Sequence, residues 1–355
     1  MNGSVQGRPV TGVSTGNSST LLTGGIGKLR LRCPPDRRCH VPGEKRQHPA
    51  QCRTHQKANV CTDTHSHAET VSSLHIPLRL SAASIAEDDS LRSQVMRQLL
   101  TMSPSIPHVS GRSTTPRVLL QFWDDASAIP DDVQECLESW APLEAAGFER
   151  TLLDDRSARL FIEDHFSARN VRAFDRCSHP AMRADYLRLC FMLRVGGLYV
   201  DADDEYQGAD VEPLIDSGQL WLQPLCYDIA SDSMVDVASA LADTAGEARI
   251  FYVNNNPLIA GPGHPVIAGA LERSTALLLA ACRANRDLQS LTGPGNLTAS
   301  LVSHAVQQAG GGKTRDFEFL PEWDAVAVSK WPLAYRADER NWRNWVQGDR
   351  EVDHA

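Results

Sequence analysis

The amino-acid sequence predicts an α/β fold whose central sheet is mainly parallel and is flanked by helices. From residue 117 onward, short runs of apolar, strand-forming residues alternate with longer segments whose apolar residues recur at helical spacing. This alternation is typical of parallel sheets with crossover helices. One strand-like run, residues 198–200, leads directly into acidic residues. Ligands in such folds bind beyond the carboxyl ends of strands, so the acidic residues mark the place for a site.

The individual elements follow from apolar periodicity and from residues that favour helix ends. Pro130 and Pro180 suit the first turn of a helix, Asp154 suits an N-cap, and Gly196-Gly197 suit a helix stop. The Pro- and Ser-rich run 103–116 interrupts the first helix pattern. The predicted strands are 117–123, 148–153, 198–200, 219–223, 250–253 and 317–320, and the predicted helices are 81–102, 130–140, 154–165, 180–195, 265–284 and 296–308.

Composition is that of an ordinary globular protein, with 42% hydrophobic and 22% charged residues among 355. No run approaches the roughly 20 apolar residues that a membrane span needs, and the N-terminus has no apolar core of the secretory type. We therefore expect a cytoplasmic protein, at most peripheral to a membrane. A net charge of −9 argues against a nucleic-acid partner.

Charge and aromatic content divide the chain. Residues 1–70 carry a net charge of +6 and contain no Trp, Phe or Tyr, whereas the remainder carries −15. A segment with so little to bury cannot form a core. We expect a disordered basic tail over 1–80, an N-terminal helix and linker over 81–110, and one domain over 111–350.

Residues 1–70 contain four cysteines and five histidines, which raises the question of a zinc site. The cysteines are separated by five, twelve and eight residues, and no CxxC pair occurs. Close ligand pairs are what normally preorganise structural zinc, so this spacing argues against a zinc site. The other five cysteines lie within apolar patterns, as buried thiols do.

Two carboxylates follow the strand at 198–200. Residues two apart share a face of an extended chain, so Asp201 and Asp203 can converge on one cation. Such a pair suits Mg²⁺ or Mn²⁺ with positions left for phosphate oxygens, although a solvated acidic loop is an alternative. A calcium loop of the EF-hand type is excluded, because Tyr206 stands where the sharp turn requires glycine.

A second charged pair lies on the preceding predicted helix. Asp185 and Arg188 are three residues apart and therefore share a face. A surface ion pair is one interpretation, but the neighbouring residues 187–193 are apolar almost all round, which indicates burial. A carboxylate and a guanidinium together can bind sugar hydroxyls and phosphate oxygens.

These residues resemble a known family. The run Ala-Asp-x-x-Arg over 184–188, followed by Gly-Gly-x-Tyr-x-Asp-x-Asp over 196–203, is similar to the glycosyltransferase sugar-binding region containing the DXD motif. Members include relatives of yeast-type alpha-1,6-mannosyltransferases, bacterial polysaccharide-synthesis enzymes and, distantly, the glucosyltransferase domain of clostridial toxins. Further similarities occur at 116–123, 129–130, 139–140, 254–256, 263–265 and 292–295. The resemblance therefore covers about residues 115–300.

The resemblance implies a GT-A fold, a nucleotide-diphosphate sugar donor and a divalent cation, Mn²⁺ or Mg²⁺. By matching positions, Asp201 and Asp203 would hold the metal, Asp185 and Arg188 would contact the donor sugar, and Trp123 would stack on the base. Asn255, Asn256, Thr292 and Gly293 are further candidate substrate contacts. Each assignment has a purely structural alternative. Trp123 could be a core tryptophan, and the two asparagines could belong to an Asn-rich turn before Pro257. Thr292 and Gly293 could form a turn that leads into a helix.

The end of the chain departs from the family pattern. Members often close with a His-rich, Ser-Trp segment, whereas residues 338–345 read Asp-Glu-Arg-Asn-Trp-Arg-Asn-Trp. A lid over the donor could be formed by Arg340, Arg343, Trp342 and Trp345, and a packed helix is the alternative.

Together with this resemblance, the sequence predicts a metal-dependent hexosyltransferase that retains anomeric configuration and uses a glycan, lipid-linked or protein acceptor. A toxin or effector acting on a host protein and an inactive nucleotide-sugar-binding domain are the alternatives.

Overall fold

The computed structural model describes residue 74 and residues 81–102, 114–243, 248–280 and 287–344. The predicted tail over 1–80, with its four cysteines, lies outside these residues apart from Leu74, and so does most of the predicted linker. No helix of the described ranges is long and apolar enough to cross a membrane.

A seven-stranded sheet forms the centre of the fold. Its order is β2-β1-β3-β7-β5-β6, and β8 pairs with residues 220–222 of β5, whereas β6 pairs with residues 226–228. Five strands (β1, β2, β3, β5 and β8) run in one direction, and β6 and β7 run against them. A separate antiparallel pair joins β4 to β9. The strands are β1 Val118–Phe122, β2 Glu149–Leu153, β3 Gly197–Tyr199, β4 Asp204–Tyr206, β5 Leu220–Asp228, β6 Ser233–Val235, β7 Arg249–Ala260, β8 Phe317–Phe319 and β9 Ala327–Ser329.

Helices connect and flank these strands, which confirms the predicted α/β class with a mainly parallel sheet and agrees with the GT-A type that the resemblance implies. They are α1 Ala82–Glu87, α2 Asp89–Thr101, α3 Asp131–Ser139, α4 Pro142–Ala145, α5 Asp155–His165, α6 Ala168–Phe174, α7 Pro180–Arg194, α8 Glu212–Asp216, α9 Val237–Ala242, α10 Pro265–Ala280, α11 Leu288–Leu291 and α12 Pro294–Gly310. Two short 3₁₀ turns follow, Trp323–Ala325 and Ala334–Ala337.

The sheet is buried on both faces. Successive residues of β1 point to opposite sides, and the residues on each side pack in a hydrophobic cluster. Leu119 pairs with Leu198 and packs in a cluster that includes Trp140. Leu120 pairs with Tyr199 and packs in the larger cluster, to which α7, α10 and α12 contribute. Burial on both faces explains why this strand reads as a continuous apolar run in the sequence.

The helix that precedes the acidic motif begins and ends where the sequence predicts. Pro180 occupies its first turn, and the His179 Nδ1 accepts from the backbone N–H of Ala181 at 3.0 Å. The chain leaves α7 through Gly196 at a φ of +79°, which favours glycine. These two ends direct α7 so that the next residues enter β3 beside β1.

Several elements differ from their predicted bounds. The predicted helix 81–102 is divided at Asp88, which instead caps α2 by accepting from the N–H of Leu91. The predicted strand 250–253 is the first part of β7, a strand of 12 residues that continues through the asparagines 254–256. The Asn-rich turn offered as an alternative for these asparagines is therefore wrong. Tertiary pairing with β3 and β5 extends the strand where local propensity favours a turn.

Gly197 provides a test of how tightly β3 lies against β1. Its φ is +113°, and a Cβ there would overlap the carbonyl oxygen of Val118. We expect Gly197→Ala to destabilise the fold by on the order of 3 kcal/mol, since it adds a clash to backbone strain. Gly208→Ala is the control, because its φ of +85° is also positive but a Cβ would meet nothing within 4 Å; it should cost about 1 kcal/mol. Urea unfolding measures both, and equal losses would contradict this account.

Candidate functional site

A cavity of about 760 Å³ opens at the carboxyl ends of β1 and β3. Trp123 follows β1, Asp201 and Asp203 follow β3, and Asp185 and Arg188 reach the cavity from α7. The asparagines of β7 complete this side of the wall. Parallel strands end at the same edge of the sheet, which is why residues about 80 positions apart in sequence meet here.

Arg188 is the most connected side chain of the cavity. Its guanidinium is 3% exposed and donates from Nη2 to Asp201 Oδ1 at 2.8 Å and to the Tyr199 hydroxyl at 2.9 Å. Nη1 donates to the backbone carbonyl of Asn255. The Tyr199 hydroxyl in turn donates to Asp201 Oδ1 at 2.9 Å. Arg188 therefore fixes the first acidic residue of the motif to both β3 and β7.

Asp185 lies beside this arginine, 3.5 Å from Arg188 Nη2. Its Oδ1 accepts from the Asn255 amide at 2.7 Å, and its Oδ2 accepts from the Thr292 hydroxyl at 3.1 Å. Burial raises the pKa of the Asp185 carboxyl to about 6, Asp201 adds to this effect, and Arg188 opposes it. The surface ion pair offered as an alternative is therefore wrong, and the two side chains are buried in a polar network, as the apolar neighbours in the sequence indicate.

Thr292 and Gly293 lie behind Asp185, and the cavity itself is lined by their neighbours Gln289 and Pro294. A Cβ on Gly293 would lie 3.2 Å from the Cα of Gln289 and 3.4 Å from Asp185 Oδ2. The glycine therefore permits the start of α12 to approach the carboxylate closely. In this structure both residues support Asp185, and their predicted role as direct substrate contacts stays a prediction.

The acidic motif is a turn and not an extended strand. β3 ends at Tyr199, and the N–H of Asp204 donates to the carbonyl of Asp201 at 3.2 Å. The reasoning that put Asp201 and Asp203 on one face of a strand is therefore wrong, although the turn still brings the two carboxylates near each other. Burial, together with Asp201, raises the pKa of Asp203.

Asn256 holds this turn in place. Its Oδ1 accepts from the backbone N–H of Asp201 at 3.0 Å, and its Nδ2 donates to Asp204 Oδ2 at 2.8 Å. Asp204 is buried beneath the motif, and burial followed by Asp201 and Asp203 raises its pKa to about 8. Asn256 is thus a positioning residue for the acidic turn, which sequence reasoning did not indicate.

The C-terminal part of the described chain contacts the second carboxylate. Asp203 Oδ2 accepts from the Tyr335 hydroxyl and from Arg336 Nη2. Sequence reasoning missed both residues, since no motif or spacing distinguishes them. Of the candidate lid residues, Arg340 lies 5.5 Å from the ring centre of Trp123 and Arg343 lies 4.7 Å from that of Trp342. Trp345 lies outside the described residues.

Four buried N–H groups of cavity-lining residues have no acceptor among the described residues: Trp123 Nε1, Arg188 Nε, Trp323 Nε1 and Arg336 Nε. Buried donors are almost always paired in folded proteins, so water or a bound ligand would supply the missing acceptors. Trp123 is itself largely buried and lies edge-on to Tyr335, with ring centres 5.2 Å apart.

A divalent cation fits the donor set of the acidic turn. Carboxylate oxygens are the ligands that Mg²⁺ and Mn²⁺ favour. Both hydrogen bonds that the described residues donate to the Asp201 carboxylate go to Oδ1, which leaves Oδ2 for a ligand, and this side chain is 37% exposed. Within the described ranges no cluster of three or more His, Cys, Asp or Glu side chains is arranged to hold a metal alone. Further ligands would then come from water or a substrate.

Comparison with known proteins agrees with this site. Residues 130–219 match the family model described as glycosyltransferase sugar-binding region containing DXD motif. The match spans α7, β3 and the acidic turn, and so it includes Asp185, Arg188, Asp201 and Asp203. It confirms the resemblance to this glycosyltransferase family over residues 130–219. The predicted enzyme class, a transferase, is confirmed with it.

Other comparisons add little. No curated protein sequence matches the chain. Among solved structures, one similar chain is described as PaToxG glycosyltransferase; it is 14% identical, with a TM-score of 0.34, and the match covers 74% of this chain and 94% of that one.

The ionisation of Asp185 makes the stability of the folded protein depend on pH. The pKa of the Asp185 carboxyl is about 6 in the folded protein and near 4 in the unfolded chain. Between pH 4 and pH 6 the folded state therefore binds more protons than the unfolded state. Its contribution to stability therefore falls as pH rises from about 4 to about 6 and is constant above. Relative to wild type, Asp185→Asn should gain on the order of 2 kcal/mol over that interval. Urea unfolding at pH 4, 5, 6 and 7 checks this, with the exposed Asp164→Asn as control. Parallel curves for wild type and Asp185→Asn would rule it out.

Proposed function

We propose that the protein transfers a hexose from a nucleotide-diphosphate sugar to a hydroxyl group of an acceptor, with a divalent cation and with retention of anomeric configuration. One observation carries the proposal: a single cavity brings together the Asp-x-Asp carboxylates, the buried Asp185–Arg188 pair and Trp123. The Asp-x-Asp carboxylates can hold a cation that neutralises the diphosphate charge, and the Asp185–Arg188 pair can contact sugar hydroxyls. Trp123 offers an aromatic surface for the base.

The donor sugar is proposed to lie against Asp185 and Arg188. The Asp185 carboxylate can accept from sugar hydroxyls, and the free Nε–H of Arg188 can donate to a sugar or phosphate oxygen. The Asn255 amide already donates to Asp185 and orients the carboxylate towards this role. Trp123, with its unpaired Nε1–H, supports binding of the nucleotide base at the end of β1.

Asp201 and Asp203 would hold Mn²⁺ or Mg²⁺, which when bound supplies positive charge to the diphosphate leaving group. Arg188 keeps the Asp201 carboxylate in place for this purpose, and Asn256 keeps the turn in place. A leaving group stabilised in this way needs no protein acid, and we assign no base or nucleophile.

The acceptor is proposed to be a hydroxyl group of a glycan, a lipid-linked sugar or a protein. A catalytically inactive binding domain is disfavoured, since both acidic residues and the Asp185–Arg188 pair are intact and lie together. Release of free sugar from a panel of nucleotide-diphosphate sugars, with Mn²⁺ present, tests the donor half of the reaction without knowledge of the acceptor.

We expect Asp201→Asn and Asp203→Asn each to abolish this hydrolysis while the protein remains folded, because each change removes a charged ligand and no apolar contact. Glu205→Gln is the matched control, since Glu205 belongs to the same acidic run but faces Lys330. It should hydrolyse donor at nearly the wild-type rate. An Asp201→Asn or Asp203→Asn enzyme as active as wild type at limiting Mn²⁺ would refute the metal assignment.

Arg188→Lys tests the geometry of the donor site. Lysine keeps the positive charge but lacks the planar fork that here donates to Asp201, Tyr199 and the Asn255 carbonyl together. We expect kcat/KM for donor hydrolysis to fall about a hundredfold, which corresponds to roughly 3 kcal/mol of transition-state binding. Circular dichroism should show an unchanged fold. Full activity with an unchanged donor preference would count against the assignment.

A further inference from the structure

The second carboxylate of the acidic turn is already paired with a cation of the chain itself. The Arg336 guanidinium, with its side chain 9% exposed, donates through Nη2 to Asp203 Oδ2, and the Tyr335 hydroxyl donates to the same oxygen. The backbone N–H of Lys330 also donates to the Asp203 carbonyl, at 2.9 Å. The segment 330–344 therefore closes on the residue that the proposed function assigns to the metal.

Arg336 is held in this position from several sides. Its guanidinium lies 3.5 Å from the ring centre of Trp331, and its Nη2 also donates to Ser329 Oγ at 3.2 Å. The amides of Asn341 and Asn344 donate to its backbone carbonyl, at 2.8 Å and 2.9 Å. The pair with Asp203 is thus a built contact between the acidic turn and this segment.

The charges around Asp203 favour the replacement of Arg336 by a divalent cation. Asp201, Asp203 and Asp204 belong to one short turn, in which the side chains of Asp203 and Asp204 are buried. Arg188 offsets the charge of Asp201, and Arg336 offsets that of Asp203. A divalent cation on Asp203 would bring two further positive charges beside the Arg336 guanidinium in a poorly solvated place, where like charges repel strongly.

We propose that Arg336 is the resident counter-ion of Asp203 in the metal-free protein and that a divalent cation binds by displacing it, so that metal binding releases the segment 330–344 from the acidic turn. The displaced guanidinium then lies at the cavity with its donors free, and the diphosphate of the donor is its next acceptor. The inference rests on the proposed function in one respect, since it takes Asp203 as a metal ligand.

Mn²⁺ affinity in the absence of any nucleotide tests the exchange. Removal of the competing cation in Arg336→Gln should lower the Mn²⁺ dissociation constant, measured by electron paramagnetic resonance, by about tenfold or more. Arg343→Gln is the matched control, because Arg343 also lies near the Trp331 ring, 5.7 Å from its centre, and has no contact with Asp203 in this structure. It should leave the dissociation constant unchanged.

Three outcomes are distinct. Tighter Mn²⁺ binding by Arg336→Gln alone supports the exchange. Equal or weaker binding by that variant overturns the exchange and leaves the metal assignment standing. If neither wild type nor variant binds Mn²⁺, the metal assignment fails together with the exchange.

A second measurement does not depend on whether Arg336→Gln folds. Mg²⁺ titrated into the wild-type protein should change the fluorescence of Trp331, because the Arg336 guanidinium that lies on that ring moves away when the cation displaces it from Asp203. The change should be absent in Trp331→Phe, while the other tryptophans still report the folded state. Saturation with Mg²⁺, verified by calorimetry, without any difference between wild-type and Trp331→Phe spectra would also overturn the exchange.

Discussion

The site depends on one buried guanidinium. Arg188 comes from α7, yet it bonds to Asp201 after β3, to Tyr199 on β3 and to the backbone of β7. A buried arginine is costly unless its charge is paired, and here the partners of Nη1 and Nη2 belong to the elements that must be aligned for the acidic turn to face the cavity. The requirement to satisfy one charge therefore couples the fold of the sheet to the position of Asp201.

The same requirement explains the remainder of the cavity. Three neighbouring carboxylates cannot all stay charged in a poorly solvated place without cations. Arg188 and Arg336 supply one charge each, and Asn256 satisfies Asp204 without adding charge. The raised pKa of Asp204 keeps this buried carboxyl largely protonated near neutral pH, so Asp201 and Asp203 are the charged oxygen donors of the acidic turn that a divalent cation would meet.

Sequence reasoning located the strands that build the site, since β1 and β3 are buried apolar runs bounded by clear helix and turn residues. It also predicted that Asp185, Arg188, Asp201 and Asp203 belong to one site, and the structure brings these four side chains to one cavity. It named Asn256 only as a candidate substrate contact, because its bond to the acidic turn depends on β7 lying beside β3. It did not indicate Tyr335 and Arg336, which reach Asp203 from more than 130 residues away. Such contacts arise from tertiary packing and leave no local pattern.

The most direct measurement of the central claim is the position of a bound metal. Crystals grown with Mn²⁺ and a nucleoside diphosphate, with data collected at the manganese absorption edge, would reveal the ion by its anomalous scattering. The account predicts an anomalous peak between the Asp201 and Asp203 carboxylates, with Arg188 still bonded to Asp201. A peak elsewhere, for example beside His304 and Asp316, with none at the acidic turn, would contradict it.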